Sequence, residues 1–382
     1  MLAILSADSY KGVGCLVRRR IDGYLVQCRV RKLNRSRHID NNMSITSRLR
    51  EPEGIYFHGG AVLYAVTGYG LGLAGLFHPS LAVNLGATLL LAHAMTIAAY
   101  MIHECGHNIV FKSVRDNARL GRFLSWICGS AYGTYEDMRY KHFRHHVDND
   151  DVVWFDYEKF FADHPRTLQA TRFLEWFYIP AHDLIMHFIM VFTSFVIPQR
   201  RDQRRRNTTV IAIRGGIFLA ILLIAPKAAL FYAVAYMIMM TILRFMDSLQ
   251  HDYPYSLTLF DFDKPPRKGN FEWEQEHTFS NPHTLKADWP NWFTLNFGFH
   301  NAHHDDMNVP WYRLPAKHRE MFGDDPSAVI PLGAQLRIFH KQRVRRIVGN
   351  HEGVEPEGRE FLRAAQRAEV YGGNAASFLT SF

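Results

Sequence analysis

The sequence predicts an all-α membrane protein: four transmembrane helices in two hairpins, an interfacial helix, and a cytosolic cap carrying three histidine boxes. Three observations lead there. Apolar runs without formal charge alternate with strongly basic stretches, the pattern of a multi-pass membrane chain. The apolar runs come in pairs joined by very short turns. Eight histidines then fall in three tight groups just beyond those pairs: His103 and His107, then His142, His145 and His146, then His300, His303 and His304. The net charge of +8 does not point to nucleic acid, because the basic residues flank the apolar runs and act as positive-inside determinants. An aromatic content of 14% suits membrane interfaces and lipid-binding clefts. Cys15, Cys28, Cys105 and Cys128 show no Cys-x-x-Cys spacing, which argues against a zinc ribbon or a disulfide framework.

Taken in order, residues 1–50 hold eleven Lys or Arg against Asp8, Asp22 and Asp40 and read as a disordered basic arm on the cytoplasmic side. Met43 is an alternative natural start. Residues 51–316 form the membrane domain. Ile55–Phe77 is long enough to cross a bilayer, His78-Pro79-Ser80 makes a turn, and Leu81–Ile102 returns, about 33 Å long as a helix, ending at His103. His93 lies inside this second run. Residues 108–171 are soluble in character. Leu184–Ile197 is apolar but short, which favours an interfacial helix; His182 and His187 belong to it. The run from Arg200 to Arg206 is a cytoplasmic anchor, followed by apolar stretches Val210–Ala225 and Ala228–Met246 around Pro226-Lys227. Two hairpins bring the chain back to one face each time, so all three histidine groups lie on the arginine-rich side. Residues 317–382 form a cytosolic tail, partly helical. Within it Ala334–Val348 reads as a basic amphipathic helix, with Leu336, Val344 and Ile347 opposing Arg337, Lys341, Arg343, Arg345 and Arg346, suited to anionic lipid or to an acidic electron carrier.

The spacings HxxxH, HxxHH and HxxHH define a metal site. Imidazoles at i, i+3 and i+4 share one face of a helical turn and can converge on one point. Imidazole suits iron, zinc, copper or nickel, so ligand type leaves the metal open. Number is more selective: structural zinc uses four ligands and catalytic zinc three plus water. Eight or nine histidines imply two metals, and a redox metal handling O2 beside a lipid phase points to two Fe, a diiron centre. Glu104, Asp148 and Asp305 are placed to orient ligand imidazoles. His103-Glu104-Cys105-Gly106-His107 also satisfies the H-E-x-x-H pattern of zinc proteases, with Glu104 as base, but that reading leaves both HxxHH boxes unused.

With these boxes in this order, the chain resembles the membrane fatty acid desaturase family, which includes hydroxylases and ketolases. The matching residues are His103–His107, the run Arg139–His146, and Asn296-Phe297-Gly298-Phe299-His300-Asn301-Ala302-His303-His304. The continuation Asn308–Pro315 is similar to the sphingolipid and rhizobitoxine-type branch. The resemblance covers roughly residues 55–316. It implies a further ligand, His251, one turn after Asp247, with His277 as the competing position and Asp247, Asn296 and Glu104 in supporting roles. It also implies an integral membrane enzyme (of the cell inner membrane if bacterial) with its boxes on the cytoplasmic side. The activity implied is O2-dependent desaturation of a lipid or acyl chain, with hydroxylation or ketone formation as the alternative. Selectivity along a featureless alkyl chain would come from an apolar tunnel, for which Trp154, Phe155, Trp292 and Phe293 are candidate walls. Phe57-His58-Gly59-Gly60 lacks the proline of a haem-domain signature, so electrons are expected from a separate donor, a ferredoxin or small cytochrome.

Overall fold

The computed structural model describes residues 44–154, 156–253, 255–259, 265–348 and 355–372. Two compact units divide the chain, residues 1–44 and 45–382, and the second is the one described below. Most of the basic arm, with Met43, lies outside the described residues. In its described part the Arg50 N–H donates to the Val110 carbonyl (3.1 Å), and the Lys112 N–H to that of Arg48 (3.0 Å).

The first hairpin joins α1 (Gly54–Gly75) to α2 (Leu81–Gly106). Glycine lets the two backbones meet closely. A Cβ at Gly72 would lie 2.9 Å from the Leu91 side chain, and one at Gly75 would lie 2.6 Å from that of Ala87. The turn is locked by Asn84, whose Nδ2 donates to the carbonyls of Gly75 (3.0 Å), Leu76 (3.0 Å) and His78 (2.9 Å) and so satisfies the open end of α1. The same glycines dilute the apolar character of α1. Among the described residues three helices are long and apolar enough to cross a membrane, namely Leu81–Gly106, Arg200–Ile224 and Pro226–Asp247, and α1 is not among them.

Beyond α2 come α3 (Val114–Cys128) and α4 (Tyr135–Asp148), each started by a hydroxyl cap: Ser113 accepts from Asp116 N–H and Thr134 from Asp137 N–H. Gly129 ends α3 at φ 89°, where a Cβ would meet the Tyr236 ring at 2.5 Å. Asn149 ends α4 in the left-handed region, and its Nδ2 reaches the carbonyls of Arg267 and Asn270 (2.9 Å each). Two short parallel strands, β1 (Asp151–Val153) and β2 (Tyr255–Thr258), are the departure from an all-helical chain. After α5 (Tyr157–Asp163) and α6 (Pro165–Trp176), α7 (Ala181–Val196) buries Met186 and Met190 and exposes Phe188, Phe192 and Phe195, as an interfacial helix should. The second hairpin is α8 (Arg204–Ile224) with α9 (Pro226–Asp247). The end of α9 is held by Arg244, which donates to Glu175 (2.9 and 3.1 Å) and Asp183 (2.7 Å).

The remainder is α10 (Phe271–Glu276), α11 (His300–Asp305), α12 (Leu314–Phe322), α13 (Leu332–Gln342) and α14 (Gly358–Gln366), of which α11 brings its histidines to the ends of α2, α4 and α9. The last two helices pack Ile338, Phe361 and Ala365 against Leu249 and Phe279, directly behind the turn that carries His251. The basic helix expected over 334–348 is corrected here. The α-helix stops at Gln342, Leu336 is 53% exposed, and the buried face is Ala334, Gln335, Ile338 and Phe339. Arg343 is buried, stacked at 4.8 Å on Trp176 and 4.6 Å on Tyr178, and donates to the Trp176 carbonyl (3.0 Å). Burial of apolar aromatic surface outweighs the helical charge pattern, and Arg343 is a strut.

Candidate metal centre

The last turn of α2 carries His103, and His107 follows directly as its cap. One face of α4 carries His142, His145 and His146. His251 sits on the turn after α9, and α11 carries His300, His303 and His304. All nine are buried. They meet as two groups, His103, His107, His142, His146 and His303 in one, His145, His251, His300 and His304 in the other. Within each group the candidate ligand atoms lie within 4.8 Å of one another.

Each HxxHH box is therefore divided rather than convergent. His142 and His146 serve the five-membered group while His145 serves the other; on α11, His300 and His304 serve the four-membered group and His303 crosses over. The cause is helical geometry: i and i+4 lie 40° apart around the axis, and i+3 falls on the other side of i by 60°. The two helices thus exchange one imidazole each and tie the groups together.

In the five-membered group the Nε2 atoms form a chain: His107 to His142 (2.7 Å), His142 to His146 (3.1 Å), His146 to His303 (3.2 Å) and His303 to His103 (3.1 Å). In the other group His145 lies 3.0 Å from His251, and His251 lies 2.8 Å from His300. Neighbouring ligands on a metal with bonds of about 2.1 Å are about 3.0–3.4 Å apart, so most of these spacings fit coordination edges. Outer partners fix the tautomers. His304 Nδ1 is 2.7 Å from Glu274 Oε1, while its Nε2 is buried and has no hydrogen-bond partner. The Thr278 hydroxyl donates to the Glu274 carbonyl (2.7 Å), which leaves its lone pair for the Nδ1–H of His251 at 3.2 Å. His145 Nδ1 lies 3.4 Å from Asp151. With Nδ1–H held outward, the Nε2 lone pairs point inward.

Burial, reinforced by neighbouring imidazoles, pushes His142, His146, His251, His300, His303 and His304 well below the ordinary histidine range. They are neutral, the form that binds metal. Burial also pushes the Glu274 carboxyl up to about 7.

His277 lies outside both groups: its Nδ1 is 2.8 Å from Asp252, and its ring stacks on Trp273 at 4.0 Å. Asp247 is buried one turn before His251. Asn296, at φ 58°, donates to the Trp311 carbonyl (2.9 Å) and shapes the approach to α11. Glu104 lies on the Nδ1 side of His103, 3.7 Å away, and accepts the Trp311 N–H (3.2 Å). It faces away from the meeting point of the Nε2 atoms, which gives it no position as a protease base. The other two acids expected to orient imidazoles do not: Asp148 pairs with Arg144 and Lys268, and Asp305 with Lys317. Glu274, Thr278 and Asp151 were not singled out by the sequence, since each reaches its histidine only through tertiary packing.

Trp292 and Phe293 line a cavity of about 700 Å³ between α1, α2 and residues 289–295, together with His93 and Trp311. Trp154 is buried away from it, and Phe155 lies outside the described residues. Phe297 touches both histidine groups, 5.3 Å from the His103 ring and 5.2 Å from that of His300.

Comparison with known proteins agrees with this site. The fatty acid desaturase family model matches residues 79–335, which includes all nine histidines. No curated protein and no solved structure matches the chain.

Proposed function

The chain belongs to the fatty acid desaturase family, and from that premise we propose that it is a multi-pass membrane oxidoreductase that desaturates an acyl chain with O2 at a diiron centre. The observation that carries the reading is the division of nine buried imidazoles into a group of five and a group of four that share the same two helices. Two adjoining nitrogen-rich sites of this kind suit a pair of irons better than one structural zinc. Iron bound there would supply the reduction of O2 and the removal of hydrogen from unactivated methylenes.

The chain's own residues perform three tasks. His103, His107, His142, His146 and His303 present lone pairs to one metal, and His145, His251, His300 and His304 to the other. Glu274, Thr278 and Asp151 hold the outward Nδ1–H groups, so the imidazoles need not reorient during turnover. Phe297 and the surrounding apolar side chains exclude water from the inner face. The alkyl chain enters from the cavity between α1, α2 and residues 289–295, whose wall residue Trp311 bonds through its backbone to Glu104 behind His103. With no polar handle on the chain, cavity depth sets the position of attack.

Three of the long helices are apolar enough to cross on their own, and α1 crosses packed against α2, so the chain makes two hairpins and leaves the boxes and the arginine-rich run on the cytoplasmic side. Electrons come from a separate ferredoxin or small cytochrome. The test is twofold. Metal analysis of the purified protein is expected to find about two iron per chain, and lipid profiling of cells with and without the gene is expected to find a product two hydrogens lighter. A product one oxygen heavier would make the enzyme a hydroxylase; one zinc per chain would reject the reading.

A further inference from the structure

A second cavity, of about 390 Å³, opens between α1, α3, α8 and α9 and shares no residue with the histidine groups. Its wall holds Arg214, the one formal charge between Asn207 and Pro226 in the sequence. A guanidinium within an apolar helix is costly and is retained where it has work to do. Arg214 donates to the Trp126 carbonyl (2.6 Å) and lies 5.7 Å over the Tyr132 ring. Among the described residues no carboxylate pairs with it. One carbonyl and one ring leave most of its five N–H donors to the cavity.

The rest of the lining is divided by chemistry. Tyr69, Tyr132, Tyr232 and Tyr236 line the cavity with Arg214, the Tyr236 hydroxyl 3.3 Å from His187. Leu73, Ile217, Phe218 and Ile221 supply apolar wall, and Ile217 is 58% exposed. Arg214 stands about midway along α8. Arg214 is ten residues, about 15 Å, along the helix from Arg204 in the basic run.

We propose that this cavity binds an anionic amphiphile, with its phosphate or carboxylate oxygens on the Arg214 fork and its acyl tail along Leu73, Ile217, Phe218 and Ile221. A planar guanidinium matches two oxygens of either group, and the tyrosine hydroxyls supply the remaining donors.

Native mass spectrometry of the full-length protein in detergent tests it, with separate titrations of dioleoyl phosphatidic acid, oleic acid, dioleoyl phosphatidylcholine and inorganic phosphate. The expected result is one tightly held anionic lipid per chain, weakened about tenfold or more by Arg214→Gln through loss of a charged hydrogen-bonding partner. Gly215→Leu serves as the second variant: a Cβ there meets open space, so the side chain would fill the cavity without disturbing the Arg214–Trp126 bond. It is expected to weaken the same lipid alone, and it decides the matter if Arg214→Gln does not fold. Whichever of phosphatidic acid or oleic acid shows the dependence identifies the headgroup. Unchanged lipid affinity in Gly215→Leu, an equal loss for phosphatidylcholine, or binding of inorganic phosphate without either lipid would each overturn the proposal.

Discussion

The two histidine groups differ in what holds them. The group of five draws His103 and His107 from the end of a 26-residue helix and His142 and His146 from a 14-residue one. Only His303 comes from the late segment. The group of four draws three of its members from that segment, on a turn after α9 and on the six-residue helix α11. Long helices aim their side chains through their own hydrogen bonds, whereas a turn and a single helical turn cannot. That deficit is met by Glu274 on His304 and Thr278 on His251, and by the buried cluster of Leu249, Phe279 and Phe361 behind the His251 turn. One group is rigid by construction and the other by its surroundings.

Removing a ligand gives the largest effect and tests whether the groups are separate sites. His303→Ala and His251→Ala are each expected to lower turnover by more than about a hundredfold, the upper end of losses seen even for outer partners. Each is expected to cost about one iron per chain while leaving the protein membrane-inserted. Loss of both irons in either variant would mean the groups do not bind independently. Glu274→Ala comes next. Without the acceptor 2.7 Å from His304 Nδ1, iron affinity in the group of four is expected to fall about 10–100-fold, with the first iron retained. Metal titration of the apoprotein reads this directly, and two equally weakened sites would contradict the contrast drawn here.

The asymmetry also explains what could be read from the chain alone. The boxes at 103–107, 142–146 and 300–304 are local patterns, and so are the four long helices around them. The division of each HxxHH box between two groups is not local, because it depends on how α4 and α11 face each other. The outer partners were hidden for a related reason. Glu104, Asp148 and Asp305 stand beside box histidines in sequence, yet a neighbour in sequence points about 100° away on a helix. Glu274, thirty residues before His304, reaches it through folding. The Arg343 reversal has the same origin, since Trp176 and Tyr178 arrive from a distant segment to bury a residue whose own helix suggests exposure.

Acid is expected to treat the groups alike, which sharpens the comparison by showing what they share. His142, His146 and His303 in one group, and His251, His300 and His304 in the other, all sit well below the ordinary value of 6.5. Once pH falls below that value, the unfolded chain takes up protons that the folded one refuses, so native stability drops as pH falls. The Tm of the metal-free protein is expected to hold steady above about pH 6.5 and decline below it. His303→Gln and His304→Gln should shallow the decline equally; a change in only one would show that burial is not shared.

The smallest effect is expected at Glu104, although it occupies the base position of an H-E-x-x-H pattern. Its oxygen lies 3.7 Å from His103 Nδ1, beyond hydrogen-bonding range, and its firmer contact is the Trp311 N–H at 3.2 Å. His103 is already aimed by α2, so the carboxylate adds little to the imidazole's orientation. Glu104→Gln keeps an acceptor for Trp311 and removes the charge, and turnover is expected to change by less than about threefold, well short of the 10–100-fold typical where an outer partner fixes a ligand. Parallel assays of Glu104→Gln and Glu274→Gln make the comparison quantitative, since both swaps preserve shape. If the Glu104 variant lost more activity than the Glu274 variant, helix geometry would not be what holds the group of five, and the contrast between the two groups would have to be abandoned.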